Sequence, residues 1–118
     1  MVSYMLPLIM IEVREYLDQG GRSPFAVWSD RLSREAAVKV AAALARIQQG
    51  NLSNAKSVGA GVHEYQIDFG PGYRIYFGKD GDQLVILVGG GTKKRQQNDI
   101  NTAQARWRDY KLRKEAGE

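Results

Sequence analysis

The sequence predicts an α+β fold: an N-terminal strand, a helical hairpin, a three-stranded antiparallel meander completing one sheet, and a C-terminal helix. Three observations predict it. Apolar residues recur at helical spacing between Ser33 and Gly50, and after Gly61 the period switches to two. A last stripe of Ile100, Ala103, Trp107 and Tyr110 returns to three- and four-residue spacing. At 118 residues, 43% of them apolar, the chain is expected to form one domain spanning 1–118 around a modest core.

From Leu6 to Leu17, Ile9, Ile11 and Val13 interleave with Glu12, Arg14 and Glu15, which fits a half-buried first strand ending near Gly20-Gly21. Ser23-Pro24 reads as an N-cap with proline at the first helical position, opening a short helix through Trp28 to Arg31. Ser33 caps a longer helix carrying Ala36, Val40, Leu44 and Ile47, and Gly50 supplies its left-handed stop. Beyond Gly61, Tyr65, Ile67 and Phe69 are expected to face the core, with Glu64, Gln66 and Asp68 facing outward. Gly70-Pro71-Gly72 turns into a strand with Tyr73, Ile75 and Phe77 inside, so Arg74 and Tyr76 share the outer face with Gln66. Lys79-Asp80-Gly81-Asp82 is a turn, and the continuous apolar run Leu84 to Val88 suits a central strand covered on both sides, ended by Gly89-Gly90-Gly91. The last helix is expected to begin near Asn98.

The net charge of +4 is unevenly placed. Residues 93–114 hold eight of the 17 basic residues against Asp99 and Asp109, whereas residues 1–92 hold nine of each sign. A basic C-terminal face favours a polyanionic partner, because phosphate neutralisation releases counterions; the alternative is a solvated helix face. The absence of cysteine excludes disulfides, zinc–thiolate sites and thiol nucleophiles. No ligand cluster suggests a metal or another cofactor, and a single histidine, His63, excludes a two-histidine ribonuclease. By alternation His63 joins Tyr65 on the inner face. Gly89-Gly90-Gly91-Thr92-Lys93 lacks the spacing of a phosphate loop. The apolar run Met5 to Ile11 is too short for a membrane span, and a cytoplasmic protein is expected.

The order of elements and the segment Gly70-Pro71-Gly72-Tyr73-Arg74-Ile75-Tyr76-Phe77 resemble the RelE/ParE superfamily of toxin–antitoxin toxins, most closely its HigB-like branch. Phe25 and Trp28, Gly50-Asn51, Gly59-Ala60-Gly61-Val62 with Glu64, and the run containing Lys93, Gln96, Asp99 and Ile100 match in order and spacing. The resemblance implies a RelE-like fold and a metal-independent endoribonuclease that cuts messenger RNA on the ribosome, restrained by a cognate antitoxin of helix-turn-helix type. It leaves two alternatives open: a ParE-like toxin that poisons DNA gyrase without cleavage, or an inactive relic that binds antitoxin.

The residues are chemically suited to the first reading. Arg74 offers a planar cationic fork for phosphate oxygens. Lys93 and Lys94 are adjacent cations, one a candidate base, with phosphate binding by both as the alternative. Tyr76 is the candidate to stack on a base or relay a proton, while Tyr73 is either a stacking or a core residue. Gln66, Arg95, Gln96 and Arg106 complete the expected substrate contacts. The family pattern has arginine at Gln66, an aspartate at Thr92, and small polar residues at Lys94 and Arg95.

Overall fold

The computed structural model describes residues 10–118, so the part of the expected first strand before Met10 lies outside the described residues. The described elements are β1 (Glu12–Glu15), α1 (Pro24–Ser29), α2 (Arg34–Gln48), β2 (Ala55–Gly59), β3 (Val62–Ile67), β4 (Tyr73–Lys79), β5 (Leu84–Thr92), a 3₁₀ turn (Lys93–Arg95) and α3 (Gln96–Glu115). This is an α+β fold built on a five-stranded mixed sheet of order β1-β5-β4-β3-β2. The strands β2 to β5 form an antiparallel meander, and β1 adds in parallel beside β5, pairing Glu12 with Leu84 and Glu15 with Leu87.

Capping proceeds as the residue types dictate. Ser23 Oγ accepts the Ala26 N–H (3.0 Å) with Pro24 opening α1, and Ser33 Oγ accepts the Ala36 N–H (3.2 Å) at the start of α2. After α2, Gly50 takes φ +80°, the left-handed conformation that stops the helix.

Three expectations are corrected. The meander has four strands, because Gly59-Ala60-Gly61 is the turn of a β2–β3 hairpin, with all three residues at positive φ. The strand β5 does not end at Val88 but runs through the three glycines to Thr92. Their small size is what permits this. A Cβ on Gly90 would stand no farther than 2.5 Å from three ring carbons of Trp28, so the indole lies directly on the strand. The last helix starts at Gln96, with Lys93–Arg95 already turning as a 3₁₀ segment.

Both faces of the sheet are covered. On one face Phe25, Val40, Ala43 and Ile47 pack on Tyr65, Ile75, Phe77, Val85 and Leu87. On the other, Ile100, Ala103 and Trp107 of α3 pack on Val62, Tyr76, Ile86 and Val88, with Tyr16 joining. Each fully buried large side chain contributes about 1.5–3 kcal/mol of transfer free energy. This two-sided burial explains the unbroken apolar run of β5. Polar contacts hold α3 across the sheet: Tyr16 OH donates to Asp109 (2.7 Å), Gln104 Nε2 to the Val58 carbonyl (3.0 Å), and Tyr110 OH and Lys114 Nζ to Asp80 (2.7 and 2.6 Å). Among the described residues, no helix is long and apolar enough to cross a membrane.

Candidate functional site

Alternation places Glu64, Gln66, Arg74 and Tyr76 on one face, and the register sets Glu64 opposite Tyr76 and Gln66 opposite Arg74. That face is not open. With α3 lying over it, Tyr76 and Glu64 are 0% exposed and Arg74 8%. The expectation that Arg74 and Tyr76 present an outer surface is therefore corrected: the phase of the strands is as expected, but the surface is an interior.

Its centre is Glu64. One carboxylate oxygen accepts from Gln66 Nε2 and Gln96 Nε2, both at 3.1 Å; the other accepts from Tyr76 OH at 3.1 Å and Gln96 Nε2 at 2.9 Å. Arg74 Nε lies 3.7 Å and Lys56 Nζ 3.8 Å from the carboxylate. Burial raises the Glu64 pKa, but the hydrogen bonds from Gln66, Gln96 and Tyr76, with the Arg74 charge, outweigh it and hold the group below the ordinary glutamate value. The charge is thus kept and satisfied, which a buried carboxylate requires. Burial and then the Glu64 charge push the Tyr76 phenol well above the ordinary tyrosine range. Fully enclosed, with its hydroxyl bonded to Glu64, Tyr76 has no exposed face on which a base could stack. Gln96, expected to touch substrate, instead uses its amide to tie the start of α3 to β3.

Arg74 is directed inward as well. Its Nη1 donates to the Gly72 carbonyl at 2.7 Å, and the Lys93 backbone N–H donates to the same oxygen at 2.9 Å. One carbonyl thereby joins the Gly70-Pro71-Gly72 turn to the basic turn. Gly72 is needed there: its φ is +79°, and a Cβ would stand 3.0 Å from Arg74 Nη1. Arg74 accordingly positions the turn rather than presenting its fork to a phosphate.

What remains open is the basic turn. The side chains of Lys93, Lys94 and Arg95 are exposed, and they precede α3, whose first turn receives no side-chain cap from Arg95. The Gln96 N–H bonds to the Lys93 carbonyl and Asp99 stands in the first turn, where it complements the helix dipole, while the three exposed cations just before it favour an external anion. An aromatic row adjoins it. Tyr73, half-buried and paired with Thr92, stacks on Phe69 (centroids 6.4 Å apart) and meets the edge of Trp28 (6.4 Å), with Lys39 Nζ 5.3 Å above Phe69.

The structure therefore brings Gln66, Tyr73, Arg74, Tyr76, Lys93, Lys94, Arg95 and Gln96 to one end of the sheet, in two layers: a buried network and an exposed cationic rim. Arg106 is not hydrogen-bonded to that network: its Nη1 sits on the Val88 carbonyl at 2.8 Å, and with Tyr76 it lines a cleft against Gly89. His63 stacks on Phe77 (5.3 Å), on the inner face that alternation assigns it, where burial and then Lys79 hold it below the ordinary histidine value. Glu64 is the residue whose central place sequence reasoning missed. The available signal was a carboxylate on the same face as an arginine and a tyrosine of the adjoining strand. Among the described residues, no group of three His, Cys, Asp or Glu could hold a metal ion.

A protein of Haemophilus influenzae described as an uncharacterized protein is 41% identical to this chain over 81 residues, which make up 68% of this chain and 82% of that protein. No family model matches the chain.

Proposed function

We propose that this chain, which belongs to the same family as that Haemophilus influenzae protein, is a toxin of RelE/ParE type that contacts RNA through its basic turn. It acts in the cytoplasm as a ribosome-dependent, cofactor-independent endonuclease on messenger RNA, and a cognate antitoxin restrains it. The observation that carries the reading is the double acceptance at Gly72. That carbonyl ties the segment carrying the family resemblance, Gly70 to Phe77, to the Lys93–Arg95 turn and so presents three exposed cations on a rigid support.

In this reading Lys93, Lys94 and Arg95 bind the scissile phosphate and its neighbours, and one lysine takes the 2′-hydroxyl proton as that oxygen bonds to phosphorus and passes a proton to the 5′-oxygen whose bond to phosphorus breaks. Tyr73 offers the accessible aromatic surface. Arg74, Glu64, Tyr76 and Gln96 hold the platform. The burial of Arg74 and Tyr76 also favours a second reading, in which the toxin works by binding its target, as gyrase poisons do, without cutting anything.

Induced expression separates them. The parent is expected to arrest bacterial growth and leave new in-frame 5′ ends in translated transcripts. A combined Lys93→Ala, Lys94→Ala, Arg95→Ala variant at equal abundance should lose the ends, since removal of one such transition-state contact typically costs about 10²-fold or more. Arrest with intact transcripts would select the binding toxin. No arrest at all would select the inactive relic.

A further inference from the structure

On the edge of β5 beyond its pairing with β1, an open cleft of about 380 Å³ lies between α1 and α3, floored by Gly89 and Gly90. The volume falls within the range of small-molecule sites, roughly 300–1,000 Å³. Its walls carry Trp28, Arg22, Arg31 and Arg106 together with Asp18 and Asp99. Among the described residues none of the three arginines is ion-paired. Arg106 is half-buried, and its bond to the Val88 carbonyl sets the plane of the guanidinium. A Cβ on Gly89 would stand 2.7 Å from Arg106 Nη1, and one on Gly90 would collide with Trp28. Two glycines in mid-strand, which weaken a strand by themselves, therefore clear the floor for a cation and an indole.

A planar apolar surface, one guanidinium oriented by the Val88 carbonyl with two exposed ones beside it, and two carboxylates define an amphoteric ligand. An acidic peptide would bring several negative charges toward Asp18 and Asp99. A nucleotide unit brings one anionic group, a flat base and base N–H donors. We propose that this cleft binds a nucleoside monophosphate unit, with the phosphate on Arg106, Arg22 and Arg31, the base against Trp28, and Asp99 accepting from a base N–H. Guanidinium forks match phosphate oxygens, and indole surfaces pack on bases. The unit is either a free nucleotide or one residue of a strand; only the second source rests on the RNA-directed function proposed above.

The test titrates the whole chain with each of the four ribonucleoside 5′-monophosphates, a five-nucleotide oligoribonucleotide, inorganic phosphate and an oligoglutamate peptide. Calorimetry reads affinity, and the indole N–H resonances of Trp28 and of the core residue Trp107 read location. Saturable nucleotide binding that shifts Trp28 and not Trp107 is expected, weakened at least about tenfold in Arg106→Gln and in the exposed variant Arg31→Glu. A tighter oligonucleotide identifies a strand as the source; equal affinity identifies a free nucleotide. Lack of saturation, an Arg31→Glu protein that binds as well as the parent, inorganic phosphate binding as tightly as nucleotide, or a Trp28 shift with the acidic peptide alone would each overturn the proposal. RNA cleavage in cells with Trp28 unmoved would remove this site and leave the proposed function; nucleotide binding without cleavage would do the reverse.

Discussion

Replacing Glu64 with glutamine preserves the shape of the buried network and removes its charge. Three side chains, Gln66, Tyr76 and Gln96, then aim donors at a group with one acceptor oxygen instead of two, and Arg74 loses the carboxylate 3.7 Å from its Nε. Hydrogen bonds to a charged group contribute about 1.5–3 kcal/mol, and stranding a buried partner charge costs about 3–5 kcal/mol. A loss of about 3 kcal/mol is therefore expected for Glu64→Gln. With 118 residues and about 2.1 cal/mol/K of unfolding entropy per residue, each kcal/mol lowers Tm by about 4 °C, so the variant should melt about 12 °C below the parent at pH 7. The pH dependence gives the sign. Because the folded-state pKa of Glu64 lies below its ordinary value of 4.5, its ionised form stabilises the fold above about that pH, and the contribution fades as pH falls through the lower folded value. The gap between parent and variant should thus narrow in acid. Hydrogen exchange at the Lys93 amide, which bonds to Gly72, should quicken in the variant at neutral pH. A Glu64→Gln protein as stable as the parent at pH 7, or one whose deficit stayed constant into acid, would refute the ionised clamp.

Gly90→Ala should lower stability by about 1–3 kcal/mol, because the indole of Trp28 is held by Phe25 (5.7 Å) and Tyr73 and cannot simply rotate away; thermal unfolding checks it, and an unchanged Tm would show that the indole does not rest on the strand. Asp80→Asn should change global stability by less than about 1 kcal/mol, since its partner Lys114 is largely exposed, yet hydrogen exchange should rise across Tyr110 to Lys114. Hydrogen bonds from Lys114 and Tyr110 hold the Asp80 carboxylate below its ordinary value of 3.8, so this anchoring is present above that pH and fades below it. Exchange in the parent should therefore come to match that of the variant only in strong acid.

By itself the sequence determined the local elements and the phase of each strand. Ser23-Pro24, Ser33 and Gly50 act through bonds within a few residues of themselves, so both helices were legible in residue type. Alternation likewise assigned Tyr65, Ile75 and Phe77 to one face and Glu64, Gln66, Arg74 and Tyr76 to the other. The hairpin strand β2 escaped because Ala55 to Gly59 has little apolar content and lies at the sheet edge. The run of glycines looked like a stop because glycine is a local breaker; that it continues a strand depends on Trp28, more than sixty residues earlier in the chain. Only the tertiary structure decided which face water reaches. A face bearing a carboxylate, an arginine, an amide and a phenol looks like surface to any periodicity argument, since the cost of burying charge is assessed one residue at a time. Here α3 closes over that face, and Gln96, thirty-two residues beyond Glu64, completes the hydrogen bonding that makes burial tolerable. The exposed cations of the basic turn were readable in sequence as charge. Their placement at the mouth of the buried network was not, because it depends on one carbonyl oxygen, that of Gly72, shared by a side chain two residues away and a backbone amide twenty-one residues away.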